Sequence, residues 1–392
     1  MNEYGLFGKI EKIRLMQNNH NDRLGYYMVG WKKFYHKTLA LIESKRSGYK
    51  LDWIFNDKVY SNIDWSIPIP INLDQLYRLR AQQLRNNYDY LALYFSGGAD
   101  SSNMLRAFVN NNIFLDEIVM QSPEPAKYSF NNLDKSDANV YSEIPYSAIP
   151  IINELKNLIH PSTKIRYQDT SKGLISLLNQ DDWFEKHPFG VSLALNPLTR
   201  QHTSFTEKHI LDLCDSGKRI AQIVGTDKPL LFYDGANYYS YFLDTTALHS
   251  PPMDLTNREI YEKSYHTELF YWTPDLPEIS IKQAQEVKKY CEINQTIRDV
   301  VCNSKLHIEK LREVLHPIIY PSLPEVPFQV GKGGMGAVRK KDQWFWDNAT
   351  ARHKQNFQSV IGYLKDNISE DAFINKSVDQ GLVGHRSKFY KL

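Results

Sequence analysis

The stretch Tyr90-Leu91-Ala92-Leu93-Tyr94-Phe95-Ser96-Gly97-Gly98-Ala99-Asp100-Ser101-Ser102 decides how the rest of the chain is read. Leu91–Phe95 is an unbroken apolar and aromatic run, the pattern of a strand buried on both faces of a parallel sheet. Two glycines follow, and then Met104, Leu105, Phe108 and Val109 share one face of a helical repeat. A strand that turns through glycines into a helix N-terminus makes an anion site. The first amides of the helix have no intrahelical acceptor, and the macrodipole adds partial positive charge there. Gly97 and Gly98 let backbone approach a phosphate with no side chain in the way. Ser96, Ser101 and Ser102 add hydroxyl donors, with Ala99 between. Asp100 would repel a bare phosphate, so its presence points to a metal ion or a specific polar partner.

Outward from this loop, strand and helix patterns alternate. Glu117–Gln121, Lys164–Gln168 and Arg219–Val224 read as further strands. Ser101–Asn110, Ile149–Leu158, Ser171–Leu178 and Thr206–Asp215 read as helices, the last closed by Gly217. Residues 122–145 are polar and irregular, as a surface excursion would be. The alternation predicts an α/β fold: a doubly wound, mostly parallel sheet built from right-handed βαβ units. Ligands of such sheets sit beyond the carboxyl ends of the strands, where Ser96–Ser102 lies. Val224-Gly225-Thr226-Asp227-Lys228-Pro229 leaves a carboxyl end too. Asp234-Gly235, between Leu-Leu-Phe-Tyr and Tyr-Tyr-Ser-Tyr-Phe, predicts a hairpin at a sheet edge.

The flanks divide the chain into an accessory region at 1–70, a central domain at 71–250 and a mainly helical domain at 251–392. The accessory region carries short strands within Leu24–Tyr35 and Leu51–Trp65 around a helix near Lys37–Arg46, and Pro68 and Pro70 mark its end. Leu73–Arg85 reads as an amphipathic helix capped by Asn72, with Leu76, Leu79 and Leu84 at helical spacing and Arg78, Arg80 and Arg85 on a solvated face. Beyond Pro251-Pro252, Glu268–Pro277 is aromatic and turn-rich. Ile281–Cys302 and Lys305–Leu315 read as helices, the second ended by Pro317. Gly331-Lys332-Gly333-Gly334-Met335-Gly336 spells G-x-G-x-x-G, yet Pro321, Pro324 and Pro327 crowd the side where a strand should precede it. It is either a flexible linker or a mobile loop that carries Lys332, Arg339, Lys340 and Lys341 onto a ligand.

Composition bounds the function classes. The 392 residues are 42% hydrophobic and 23% charged, as in a globular chain with room for two or three domains. A net charge of +2 permits nucleic acid as a partner without indicating it. No apolar run approaches the roughly 20 residues of a membrane span, and no signal peptide opens the chain. A cytoplasmic location follows as the expectation. Cys214, Cys291 and Cys302 are too dispersed for a disulfide framework, and Cys291 and Cys302 read as fillers on one long helix. His202 and His209 lack partners at structural-zinc spacing.

Residues 96–102 match every fixed position of S-G-G-x-D-S-[ST], and over roughly 89–228 the chain resembles the N-type ATP pyrophosphatases, or PP-loop proteins. GMP synthetase, asparagine synthetase, NAD synthetase and the tRNA-thiolation enzymes belong there. The Walker A lysine is missing, which separates this loop from P-loop NTPases. The resemblance implies ATP and Mg²⁺ as ligands and an acceptor that is adenylated with release of pyrophosphate. A nitrogen or sulfur nucleophile then displaces AMP. It places the phosphates on Ser96, Gly97, Gly98, Ala99, Asp100, Ser101 and Ser102, and adenine against the main chain of Met120 and Gln121. Asp100 and Asp227 would hold Mg²⁺, a hard cation that favours oxygen ligands. Lys228 or Lys332 would stabilise the leaving pyrophosphate. As a plain turn, Asp227 and Pro229 would serve local geometry alone.

Absences narrow the resemblance. Asn2 follows Met1, and no cysteine precedes Cys214, so a glutamine amidotransferase with an N-terminal cysteine is not expected in cis. Paired sulfur-transfer cysteines, the zinc cluster of 7-cyano-7-deazaguanine synthase and a C-terminal Glu-Cys-Gly are missing as well. The abundant Asn and Tyr resemble asparagine-synthase-like PP-loop proteins of tailed bacteriophages. The acceptor stays unassigned. The alternatives are a catalytically altered nucleotide-binding or interaction protein, and a tRNA or DNA base-modification enzyme.

Overall fold

Five parallel strands carry the loop. The computed structural model describes residues 22–122, 144–169, 208–245, 263–302, 308–324, 347, 349–373 and 382–392. An N-terminal antiparallel sheet comes first, from β1 (Tyr26–Val29), β2 (Lys32–Phe34) and β3 (Leu51–Ile54), with α1 (Lys37–Ser47) packed on it. The helix α2 (Leu73–Asn87) leads into β4 (Tyr90–Tyr94), α3 (Ala99–Val109), β5 (Glu117–Ser122), α4 (Ile149–Glu154), β6 (Lys164–Asp169), α5 (Lys208–Asp215) and β7 (Ile220–Val224). The hairpin β8 (Leu230–Tyr233) and β9 (Tyr238–Tyr241) follows, then β10 (Tyr265–Leu269) and the helices α6 (Glu278–Ile293), α7 (Gln295–Cys302), α8 (Ile308–Ile319) and α9 (Ala351–Asn367). A two-residue strand, β11 (Tyr390–Lys391), ends the described chain.

The main sheet runs β10-β7-β4-β5-β6, and every neighbouring pair is parallel. The chain starts at β4 in the middle, adds β5 and β6 on one side, then returns to add β7 and β10 on the other. The order therefore reverses between β4 and β7, and at such a point the two carboxyl-end loops diverge and leave a crevice. Helices cover both faces. Leu91, Leu93, Ile118, Ala221 and Ile223 join the large core with α2 and α3. Tyr90, Ala92, Val119, Ile220 and Tyr265 pack under Ile210 and Cys214 of α5. Each such large apolar side chain contributes roughly 1.5–3 kcal/mol when fully buried. Gln222, fully buried in β7, accepts a hydrogen bond from Tyr265 Oη at 2.7 Å, which offsets its desolvation.

Local signals read from the sequence hold in several elements. Asn72 and Gln75 form a reciprocal capping box on α2. Gly217 adopts the left-handed conformation that closes α5, with φ 77°. The Asp234-Gly235 hairpin forms, but its sheet is separate. It pairs with β11 in the order β11-β9-β8 rather than extending the edge of the parallel sheet.

Other elements correct the sequence reading. Tyr265–Leu269, of which only Glu268 and Leu269 fall in the stretch read as aromatic and turn-rich, is the fifth parallel strand. Its Glu268 is buried because Arg80 of α2 meets it at 2.6 Å and Tyr88 Oη donates to it. Arg80 is thus interior, not on a solvated face, and it is Leu79 that is exposed. Cys291 and Cys302 lie on two helices, α6 and α7. The chain leaves helical geometry at Asn294, whose side-chain oxygen accepts the Ile297 amide at 3.1 Å. The helix α8 continues through Pro317 to Ile319, because a proline near a C-terminal end removes only one ladder bond. Ser171–Leu178 and most of the 122–145 excursion lie outside the described residues.

The three parts of the chain share one apolar core. Phe55 packs on Phe242 and Trp272, and Tyr60 Oη donates to Thr273 O at 3.0 Å. Lys37, itself buried, donates to Asp244 Oδ2 at 2.6 Å and to Val383 O at 2.5 Å. Burial alone would raise the Asp244 carboxyl, but Lys37 and His385 outweigh it and hold the group at about 2. Among the described residues, no helix is long and apolar enough to cross a membrane.

Candidate functional site

The loop after β4 owes its path to Gly97. Its φ is +79°, and a Cβ there would lie 2.5 Å from the Ala148 amide nitrogen and 2.8 Å from Ala148 Cα. Gly97 O is fixed by Ser147 Oγ at 2.5 Å and by Ser102 Oγ at 3.4 Å. The segment before α4 therefore serves as the floor of the loop. Gly98 is the N-cap of α3 and supplies no side-chain acceptor to the first-turn amides. Among the described residues, a Cβ at Gly98 would meet nothing nearer than Ser96 Oγ at 3.4 Å, so they leave that side of the loop uncovered. The serines bond to each other and to Gly98: Ser96 Oγ and Ser101 Oγ stand 3.3 Å apart, Gly98 N donates to Ser96 Oγ at 3.3 Å, and Ser101 Oγ donates to Gly98 O at 3.1 Å. Ser96 is exposed, whereas Ser101 and Ser102 are buried.

The loop after β7 meets this one across the strand-order reversal. Lys228 Nζ donates to Asp100 Oδ2 at 2.5 Å and lies 3.9 Å from Asp227 Oδ1. The Lys228 side chain is 6% exposed, so this is a buried ammonium whose nearest anion is Asp100. Asp227 Oδ1 also accepts the Lys228 backbone amide at 2.8 Å. Gly225 permits the approach, since a Cβ there would stand 3.0 Å from Met104 Cε and 3.3 Å from Asp100 Cβ.

The second half of the chain completes the surround of Asp100. Tyr320, just past α8, donates to Asp100 Oδ1 at 2.7 Å, and Tyr271, just past β10, donates to Asp100 O at 2.8 Å. His316 Nε2 stands 4.0 Å from Asp100 Oδ1. Burial would push the Asp100 carboxyl up, but the charges of Lys228 and His316 and the hydrogen bonds from Lys228 and Tyr320 hold it at about 2. Burial also keeps the Tyr271 and Tyr320 hydroxyls well above their ordinary range, so both act as donors. Asn103 Nδ2, one turn into α3, donates to Tyr271 Oη at 3.1 Å and orients it.

The structure brings Ser96–Ser102, Asp227 and Lys228 together. Met120 and Gln121 lie at the carboxyl end of β5, where Tyr94 is in register with Val119, so they run level with the start of the loop. Gln121 Nε2 donates to Gln168 Oε1 at 2.7 Å. Lys332 lies outside the described residues. Among the described residues, no group of three His, Cys, Asp or Glu side chains is placed to hold a metal by itself. Sequence reasoning missed Tyr271, His316, Tyr320 and Ser147. Only the aromatic run Phe270-Tyr271-Trp272 signalled one of them, because such rings seek burial.

Chemically, the site offers helix-end amides and hydroxyls to an anion, with a buried ammonium close by and a carboxylate that stays ionised. Comparison with known proteins found no matching family model, no similar curated protein and no similar solved structure.

Proposed function

We propose that the chain is a PP-loop ATP pyrophosphatase that adenylates an acceptor. The observation that carries this reading is the Lys228–Asp100 contact, which puts a cation beside the S-G-G-x-D-S-[ST] loop where the strand order reverses. In the proposed reaction an acceptor oxygen attacks the α-phosphorus of ATP, the bond from that phosphorus to the α,β-bridging oxygen breaks, and pyrophosphate leaves with the electron pair. A nitrogen or sulfur nucleophile then displaces AMP.

The residues fit the ligands. The first-turn amides of α3 and the hydroxyls of Ser96 and Ser101 suit the β- and γ-phosphates, and the bare Gly98 leaves them room. Lys228 neutralises charge that builds on the departing pyrophosphate, and Asp100, itself fixed by Tyr320 and Tyr271, holds it ready. Mg²⁺ would supply further charge neutralisation. Both Asp100 oxygens already have partners, so Asp227, whose Oδ1 alone has a hydrogen-bond donor among the described residues, fits the ion better, with phosphate oxygens as co-ligands. Met120 and Gln121 remain the proposed adenine contacts.

The test is ATP-dependent pyrophosphate release with AMP as co-product, across oxygen-bearing acceptors with ammonia or sulfide. Lys228→Ala should lower turnover by about 10²–10³-fold, the scale of losing one preorganised charge-stabilising group. ATP binding without AMP formation over that whole panel would sink the enzymatic reading and leave a nucleotide-binding protein.

A further inference from the structure

The small sheet β11-β9-β8 has one buried face and one open face. Leu231, Tyr238, Ser240, Tyr390 and Leu392 point into the core. On the other face Phe232 is in register with Tyr239, and Tyr239 with Lys391. The outward face of such a sheet is ordinarily polar, yet here it is aromatic. The Phe389 ring centroid lies 5.6 Å from Phe232, 6.4 Å from Tyr239 and 5.3 Å from Tyr241. Phe232 is 39% exposed and Phe389 45%. Single exposed rings need no explanation, but here two exposed rings, Phe232 and Phe389, join two half-buried ones, Tyr239 and Tyr241, in a patch centred on Phe389.

Cations border that patch. The Arg386 guanidinium sits 5.0 Å over the Tyr241 ring, and Lys391 is exposed beside Tyr239. The nearby acid, Asp234, accepts the Ala236 and Asn237 amides and Tyr239 Oη, and these neutral donors leave its negative charge in place at the hairpin turn. Lys388 is paired with Asp57 at 3.0 Å. The open face therefore combines flat π surfaces with two cations, Arg386 and Lys391, and one carboxylate, Asp234, at its turn end. Aromatic faces accept bases of any sequence by stacking, and flanking Arg and Lys take the phosphates.

We propose that this face binds single-stranded nucleic acid, through stacking on Phe232, Tyr239 and Phe389 and phosphate contacts from Arg386 and Lys391. The surface does not depend on the ATP reading. It is continuous with that site in the chain, because Pro229 alone separates Lys228 from Leu230 at the start of β8. A bound strand would lie on an element rooted at the Lys228 loop.

The experiment is fluorescence anisotropy with the full chain and labelled oligo(U) and oligo(dT) of about 10 nucleotides, repeated from about 50 to about 200 mM salt. The expected result is saturable binding that weakens with salt. Phe389→Ala and Tyr239→Ala each should weaken it about tenfold, and Arg386→Gln should flatten the salt slope by about one unit. Phe389→Leu keeps an apolar side chain but no ring. It should fold with an unchanged unfolding midpoint and still lose affinity, so a structural role is told from stacking even if the alanine variant fails to fold. Absence of binding by the wild type, wild-type affinity in Phe389→Leu, or equal affinity for a blunt duplex would each overturn the proposal. Pyrophosphate release, read in parallel, should be unaltered in these variants, so failure of this surface and failure of the ATP site are distinct results.

Discussion

Lys228 Nζ reaches Asp100 Oδ2 at 2.5 Å and so joins two loops that leave strands on opposite sides of the strand-order reversal. One residue opens α3 and the other precedes the β8 hairpin, and neither loop alone supplies both charges.

Breaking this pair should cost more than removing it. Asp100→Asn leaves a buried ammonium without its nearest anion, a change of about 3–5 kcal/mol. Lys228→Met should cost less, because the Asp100 side chain is 28% exposed and water can take up part of its charge. The double variant should be less destabilised than the sum of the two, with a coupling above about 1 kcal/mol in urea unfolding. Additivity within about 0.5 kcal/mol would show that the contact is not energetically coupled.

The acid limb of the stability curve should carry the same signature. The folded Asp100 carboxyl titrates at about 2, below its ordinary 3.8. A depressed folded pKa adds stability above the unfolded value and loses it as pH falls through the folded one. The urea midpoint should therefore drop as pH falls from 3.8 towards 2, and less steeply in Asp100→Asn. Tyr320→Phe removes a donor to the ionised form and should move this window to higher pH. A Tyr320→Phe profile that overlays the wild type would mean that the hydroxyl does not act on Asp100.

The two loop glycines should separate folding from binding. Gly97→Ala combines a left-handed φ with a 2.5 Å approach to the Ala148 nitrogen, so it should lose about 2 kcal/mol or more of stability. Gly98→Ala has ordinary φ and free space, so thermal unfolding should be near wild type. Its methyl group points at the side proposed for phosphate, and ATP affinity should fall. Equal effects of the two substitutions on both readouts would contradict this division of labour.

Four of the five strands of the central sheet were legible because their information is local. The run Leu91–Phe95 is apolar throughout, Asn72 and Gly217 mark helix ends, and Asp234-Gly235 marks a hairpin. What stayed hidden depends on meetings between distant residues. The strand Tyr265–Leu269 contains Glu268, a charge that a strand pattern does not place inside a core until Arg80 is known to face it. His316 and Tyr320 come to Asp100 from the end of α8 and the residue just past it, because that helix passes through Pro317, where a sequence reading stops it. The loop and the Asp227-Lys228 turn could be read as two anion-facing segments, whereas their direct contact required the strand order.

The tie from Lys37 to Asp244 and Val383 also sets an order of assembly. Lys37 and Val383 are 346 positions apart in sequence, and the ammonium is buried once they meet. During synthesis, α1 is made long before either acceptor exists, so its charge must stay hydrated and the N-terminal sheet cannot seal early. Nascent chains halted before residue 383 should remain open to protease around Lys37, and the cut should vanish once the segment through Tyr390 has emerged.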